Sequence, residues 1–242
     1  MPSTTPRRFV GIDLAWASRN RTGLAAVDDS GRLVASAAVR SDDEIDAWLA
    51  EHAPAPTVVG VDAPLVVPNA TGSRPAERLI GSAFGRFGAS AYPSNRSIPW
   101  FDPPRAELLA ARHGWSVDPD RDTGRGVPVC LEVYPHAAMI GLFSLPRRIL
   151  YKKGPDRRAG FLQLVTHFET LRELRLQESP RWTEIVRLVE TPARGDLTRI
   201  EDEVDAILCA HVAWLWHHRR EALQVYGTLA EGYVVAPPPP GP

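Results

Sequence analysis

The first forty residues contain three short apolar segments separated by polar turns, and this pattern restricts the possible folds more than any other feature of the sequence. The segments read FVGIDLAW, TGLAAVDD and RLVASAAVR, and they are separated by SRNR and by the pair Ser30-Gly31. Short connections rich in turn residues between apolar runs are typical of hairpins. The sequence therefore predicts a meander of three antiparallel strands at the start of the chain.

A helix and a buried strand are predicted after this meander. Ser41 is a typical N-cap residue, three acids follow it, and apolar residues recur at helical spacing before Pro54 ends the pattern. The next run, TVVGVDAPL, is almost continuously apolar, which is typical of a strand buried on both faces. The order β-β-β-α-β predicts an α/β fold with a mixed sheet, three antiparallel strands and then parallel strands, flanked by helices.

The remaining sequence predicts one domain with additions to this core. VPVCLEVYP indicates another buried strand, and YGTLAEGYVVAP indicates a short hairpin or an edge strand. Helical spacing predicts helices at 74–87, 105–113, 156–176 and 201–223. We expect a single domain over residues 1–236, with insertions around 66–128 and 144–200. The Pro-rich tail at 237–242 is expected to be disordered.

Composition restricts the classes of function and location. Across 242 residues, 28 Lys and Arg balance 29 Asp and Glu, so any contact with nucleic acid is expected to be local. The apolar run AILCAHVAWLW is too short to span a bilayer, and MPSTTPRR has no apolar segment typical of a signal peptide. Cys130 and Cys209 fit neither a disulfide framework nor a zinc site. We therefore expect a protein of the cytoplasm that does not insert in membranes.

Three of the predicted strands each carry one acid near the end. Asp13 lies in FVGIDLAW, Asp62 in VVGVDAPL and Glu132 in VCLEVYP, all among apolar neighbours. Acids at the ends of neighbouring strands converge on one edge of a sheet, where they must hold protons or bind cations. The alternative is that arginine or backbone donors satisfy each acid singly, or that Glu132 faces solvent. A divalent metal site at this edge is the prediction.

The predicted C-terminal helix carries two further acids on one face. Asp202 and Asp205 are three residues apart, and small residues continue their face at Ala206, Cys209 and Ala213. Such a stripe allows a helix to lie close to a sheet, which would bring both aspartates towards the strand acids. The alternative is that EDEVD complements the dipole of a first helical turn.

Together, these motifs resemble a known family. The sequences GIDLAW with TGLA, VGVDAPL, EVYP, EDEVDAILCA and YG…GYVVAP are similar, between Gly11 and Val235, to the predicted RNase H-like nucleases catalogued as domain of unknown function number 429. The opening strand acid and the DxxDA helix also resemble the Holliday-junction resolvase branch of the RNase H-like superfamily. The resemblance implies metal ligands at Asp13, Asp62 and Asp205, with Asp202. Glu132 matches the narrower family only.

The resemblance also implies a chemistry. It is metal-assisted hydrolysis of a phosphodiester bond in DNA or RNA, with two Mg²⁺ or Mn²⁺ ions about 3.5–4 Å apart and Asp13 between them. Carboxylate oxygens are the hard ligands that these ions prefer. All five acids, Glu132 included, are candidate catalytic residues.

Basic residues that could bind substrate occur in two places. The segment PRRILYKKGPDRR contains six positive charges between Arg147 and Arg158, and Lys152 and Lys153 within it could bind phosphates. The alternative is a solvated charged loop. Arg74 and Arg78 could also approach an anion, although Glu77 favours a surface ion pair. His136 is a candidate base or metal ligand if the strand before it ends at the site, and the alternative is a structural residue at a helix start.

Three classes of function remain open. The first is a metal-dependent nuclease or related phosphohydrolase. The second is a catalytically silent module on the same fold that binds nucleic acid or protein. The third is a sugar-kinase or actin-like ATPase, but the sequence has no second glycine-rich hairpin and no second domain of that type. Neither a GxSxG elbow nor a Walker-type loop occurs.

Overall fold

A computed structural model describes residues 6–16, 20–123 and 126–241. The strands are β1 (Arg8–Asp13), β2 (Thr22–Asp28), β3 (Leu33–Val39), β4 (Val58–Val61), β5 (Val129–Glu132), β6 (Gln224–Thr228) and β7 (Gly232–Ala236). The helices are α1 (Asp42–His52), α2 (Pro75–Phe84), α3 (Arg105–Arg112), α4 (Pro135–Phe143), α5 (Arg157–Phe168), α6 (Pro180–Glu190) and α7 (Asp196–His218).

The central sheet has five strands in the order β3-β2-β1-β4-β5. Strands β1, β2 and β3 pair antiparallel, whereas β1, β4 and β5 pair parallel. Parallel pairing requires crossover connections, which the segments containing α1 and α2–α3 provide. The predicted mixed α/β sheet is confirmed, and the arrangement is consistent with an RNase H-like fold.

Helix α7 lies across the sheet at very short distance. A Cβ atom placed on Gly11 of β1 would come within 1.9 Å of the Ala206 carbonyl oxygen, and one on Gly23 of β2 within 1.8 Å of the Asp202 carbonyl oxygen. Glycines on the strands and small residues on the helix thus allow the two backbones to touch. The close packing predicted from the stripe of Ala206, Cys209 and Ala213 is confirmed.

The bounds of α7 differ from the prediction. The helix begins at Asp196, after Gly195 in a left-handed conformation, and ends at His218 rather than Leu223. Buried Ile200 and Val204 extend the apolar face towards the N-terminus. Asp202 therefore lies well inside the helix, and the interpretation of EDEVD as a first helical turn is wrong. Helix α5 also ends earlier than predicted, at Phe168.

The sheet separates two apolar cores. The larger core contains α7 together with residues of α2, α4, α5 and α6, and the smaller one lies under α1 and α3. The hairpin of β6 and β7 joins the larger core, where Val235 makes an isolated bridge with Val133. Pro237 is buried beside Gly141, and the Pro240 carbonyl accepts a hydrogen bond from Arg86, whereas composition predicted no structure there.

Within the described part of the chain, no helix is both long enough and apolar enough to cross a membrane.

Candidate carboxylate site

Strands β1 and β4 place two carboxylates side by side at one edge of the sheet. Ile12 and Val61 are paired in the parallel ladder, so that Asp13 and Asp62 follow at equivalent positions. The Asp62 amide donates to the Ile12 carbonyl over 2.8 Å, which extends the pairing to the acids themselves. Both residues are partly exposed. The structure thus brings together the first two predicted site residues.

Helix α7 adds two acids to the same edge. Asp205 is fully buried, and its negative charge raises the pKa of both Asp13 and Asp62. Asp202 is partly exposed and lines a cleft together with Asp13. The contact between the Asp202 backbone and Gly23 sets the height of the helix above the strands. The four aspartates selected from the sequence therefore form one group, which we call the aspartate cluster.

Lys152 supplies the positive charge of this cluster. Its ammonium lies 2.6 Å from Asp205 Oδ2 and also interacts electrostatically with Asp13 and Asp62. The preceding residue, Tyr151, is buried and donates a hydrogen bond of 2.5 Å from its hydroxyl to Asp205 Oδ1. The side chains of Tyr151 and Lys152 thus point from the loop before α5 towards Asp205. Gly160 has no side chain, and α5 can therefore lie close to the loop backbone at Leu150. Sequence reasoning did not identify Tyr151.

The acids of the cluster are held in conditions that disfavour their ionisation. Burial, Asp205 and Asp62 together raise the pKa of Asp13 well above its usual value. Burial raises the pKa of Asp62 to about 7, Asp205 adding to the effect and Lys152 opposing it. Burial and Asp205 raise the pKa of Asp202 to about 6. The neighbouring carboxylates raise the pKa of Lys152, which therefore stays charged despite its burial.

The chemistry of the cluster fits a hard divalent cation, but its coordinates do not form a complete metal cage. Four carboxylates share one ammonium, and burial together with this deficit of positive charge raises the pKa values of Asp13 and Asp62. Oxygen ligands of this kind suit Mg²⁺ and Mn²⁺. Across residues 6–16, 20–123 and 126–241, no three acidic, histidine or cysteine side chains are grouped so that they could hold a metal ion.

A cleft of about 1030 Å³ opens from the aspartate cluster to solvent. Its walls combine Asp13, Asp202 and Glu201 with basic residues and one tryptophan. The side chains that sequence reasoning did not select are Trp16, Arg21, Arg40 and Arg199, which lie beside the predicted Lys152 and Lys153. Arg199 is paired with Asp196, and Lys153 is exposed. Arg21 directly precedes β2 and Arg40 directly follows β3. The pairing of these two strands therefore brings the two arginines to the same end of the hairpin.

Glu132 is held by an arginine rather than by Lys152. In the parallel ladder, Glu132 of β5 is paired with Val61 of β4. It therefore lies one position before the level of Asp62 along the strands. Its carboxylate accepts hydrogen bonds from Arg74 Nη2 and Nη1, at 2.5 and 2.9 Å, and from the Leu65 amide. The expectation that Glu132 joins the aspartates is thus corrected to an ion pair, the alternative considered for each strand acid.

Arg74 is an internal residue and not a surface cation. Only 2% of it is exposed, and its guanidinium binds Glu77 as well as Glu132. The carboxylates raise its pKa in spite of burial. The expected contact of Arg74 with substrate is replaced by this buried network, because both partners already occupy its donors. Arg78 is exposed and donates to the Ser73 carbonyl, away from the cluster.

The basic residues between Arg147 and Arg158 do not form the single phosphate-binding segment expected from the sequence, and His136 lies outside the cleft. Arg157 pairs with Glu201 on α7, and Arg158 donates to carbonyls at the end of α6. The segment from Arg147 to Arg158 is therefore not one basic surface. His136 is half-buried beside Tyr151, with 5.7 Å between the ring centroids, and desolvation lowers its pKa to about 4. A neutral His136 packs behind the cluster.

Comparison with known protein families gives one match, which covers most of the chain. The family described as Protein of unknown function (DUF429) matches residues 11–230, a span that contains every residue of the aspartate cluster. Comparison with curated proteins and with solved structures gives no match.

Proposed function

The chain belongs to the DUF429 family, whose description carries no activity, and from the site itself we propose that the protein hydrolyses phosphodiester bonds with the help of Mg²⁺ or Mn²⁺. The observation that carries this proposal is the aspartate cluster, in which β1, β4 and α7 bring four acids together. Two of them, Asp13 and Asp202, line the open cleft. The proposed substrate is a nucleic acid, either DNA or RNA.

The charge of the cluster supports a cation-dependent role. At neutral pH, Lys152 contributes one positive charge among Asp13, Asp62 and Asp205, so part of the negative charge must be removed by protonation. Asp13, Asp62 and Asp205 are the residues that would hold a divalent ion, and Asp202 would act as an auxiliary. A bound ion of this type activates water and stabilises the charge on the leaving oxygen.

Residues of this chain would prepare the substrate. Lys152, which pairs with Asp205, would supply positive charge to a phosphate bound beside the cluster. Arg21, Arg40 and Lys153 line the cleft and supply positive charge along its wall. Tyr151 holds Asp205 through its hydroxyl and so orients one carboxylate oxygen. His136 does not line the cleft, so we assign it no role in proton transfer.

A catalytically silent module that binds nucleic acid or protein is the second candidate. The pairing of Lys152 with Asp205 favours it, because an internal counter-ion satisfies one acid without metal. The two candidates predict different results in a cleavage assay, because a silent module cleaves no substrate whichever metal ion is added.

Cleavage assays on two aspartate variants test the proposal. We expect Asp205→Asn to abolish cleavage of labelled DNA and RNA substrates, because the buried acid has no replacement. Asp202→Asn slows cleavage and raises the Mn²⁺ concentration required, because Asp202 is partly exposed at the side of the cluster. Asp43→Asn, at an exposed position of α1, is the matched control. Absence of cleavage by the unmodified protein on every substrate would favour the silent module.

We also propose that the protein resides in a reducing cytoplasm. Both Cys130 and Cys209 are free and buried, as expected of a chain that does not depend on disulfides.

A further inference from the structure

Two large aromatic side chains, Trp16 and Tyr92, are exposed beside the aspartate cluster, and a third, Trp100, is exposed next in the chain to a residue that Trp16 contacts. The exposed fractions are 44% for Trp16, 81% for Tyr92 and 45% for Trp100. Trp16 is three residues beyond Asp13 and lines the same cleft. Trp16 and Tyr92 also line a second, smaller cavity of about 80 Å³ with Asp62. The indole of Trp16 thus lies between two cavities that each contain an acid of the cluster.

The position of Trp16 is fixed from behind. Its ring meets that of buried Phe101 edge to face, with 5.1 Å between centroids, and Trp100 directly precedes Phe101 in the chain. The residue before it, Ala15, donates to the Thr22 hydroxyl and accepts a hydrogen bond of 2.6 Å from Arg105. An aromatic ring that is anchored at one edge and exposed elsewhere can stack on a planar ligand without prior rearrangement.

The charges around Trp16 identify the class of ligand. Arg21, Arg40 and Lys153 line the cleft together with Trp16, so that basic groups and an exposed ring share a cleft that also contains acids of the aspartate cluster. Proteins that bind single-stranded nucleic acid combine these features, since basic groups follow the phosphates and aromatic rings stack on the bases. Bases within a duplex are already stacked on each other and cannot stack on the aromatic rings of a protein without leaving the duplex.

We propose that Trp16, with Tyr92 and Trp100, stacks on unpaired bases of a single-stranded nucleic acid whose backbone passes the aspartate cluster. This inference rests on the proposed function and defines its substrate class. An apolar peptide segment is the competing occupant, but the arginines and the lysine of the cleft favour a polyanion over an uncharged peptide.

Three probes of equal length test the inference by binding. They are a fluorescein-labelled oligothymidylate of 12 nucleotides, an abasic strand with the same phosphates, and a 12-base-pair duplex. We expect fluorescence anisotropy to give at least about tenfold tighter binding of the oligothymidylate than of the abasic strand, the size expected for one or two stacked bases. Trp16→Leu removes this preference, and Trp16→Phe retains part of it.

Controls separate stacking from folding and from catalysis. Trp16→Leu is expected to fold, with an unfolding temperature lowered by no more than about 2–4 °C through loss of the contact with Phe101. Leu229→Ala, at an exposed leucine of the β6–β7 turn, is expected to bind all probes normally. Equal affinity for the three probes, or a preference that persists in Trp16→Leu, would overturn the inference. Base-dependent binding without cleavage would leave the stacking surface in place and refute only the hydrolase. If the protein cleaves duplex substrate and Trp16→Leu does not change the rate, the hydrolase would be supported and the stacking surface refuted.

Discussion

Replacement of Asp62 by asparagine removes one acid of the aspartate cluster, and we expect its effect on stability to depend on pH. The folded protein raises the pKa of Asp62 from 3.8 to about 7, chiefly by burial. Below about pH 7, the Asp62 carboxyl of the folded protein is therefore mostly protonated. Its contribution to stability is complete below pH 4 and is lost as the pH rises through 7. Asparagine has no proton to lose and does not show this decline.

The magnitude follows from the size of the pKa shift. A shift of about three pH units corresponds to about 4 kcal/mol at high pH. Because Asp62 is partly exposed, we expect a measured difference of about 1–3 kcal/mol in the free energy of unfolding. Asp62→Asn and the unmodified protein are thus nearly equal in stability at pH 4.5, and the variant is more stable at pH 8.5.

Urea denaturation followed by circular dichroism, in the presence of a chelator and at several pH values, measures this difference. Asp43→Asn is the control, because this exposed side chain on α1 is expected to change stability by less than about 0.5 kcal/mol at every pH. A difference between Asp62→Asn and the unmodified protein that stays constant from pH 4.5 to 8.5 would refute the assignment of Asp62 to a crowded carboxylate site.

Three further substitutions probe the cluster and its support. Lys152→Met removes the counter-ion of Asp205 and is expected to lower the free energy of unfolding by about 2 kcal/mol at pH 8, whereas Lys153→Met, at an exposed position, changes it little; equal losses in urea titrations would contradict this. Gly23→Ala forces a Cβ atom onto the α7 backbone and is expected to cost about 3 kcal/mol or to prevent folding. Glu132→Gln leaves Arg74 partly unpaired and is expected to cost about 3–5 kcal/mol by the same assay while the affinity for Mn²⁺ is unchanged; lost Mn²⁺ binding in a folded variant would identify Glu132 as a ligand.

The parts of the fold that local sequence determines were predictable. Turn residues and apolar runs define β1, β2 and β3, and an uninterrupted apolar run defines β4. The small residues of α7 also predicted its contact with the sheet. Because strand ends in a parallel pair meet at one edge, Asp13 and Asp62 could be placed together without coordinates.

Other features depend on contacts between distant segments. Glu132 follows an apolar run as Asp62 does, but only the register between β4 and β5 shows that it aligns with Val61. Arg74 and Glu132 are 58 residues apart, so their ion pair has no local signal. Tyr151 and Lys152 resembled a charged surface loop because nothing near them in sequence indicates Asp205. Trp16 looked like the end of a strand, and the cleft that it lines is formed by four separate segments.

Titration of Mn²⁺ into the protein, followed by calorimetry at pH 7.5, tests the central claim most directly. We expect the unmodified protein to bind Mn²⁺ with release of protons, since the ion displaces protons held by the crowded carboxylates. Asp13→Asn is expected to fold normally, to be at least as stable as the unmodified protein without metal, and to lose Mn²⁺ binding. Equal Mn²⁺ affinity in the two proteins, or no binding by the unmodified protein, would contradict the assignment of the aspartate cluster as a metal site.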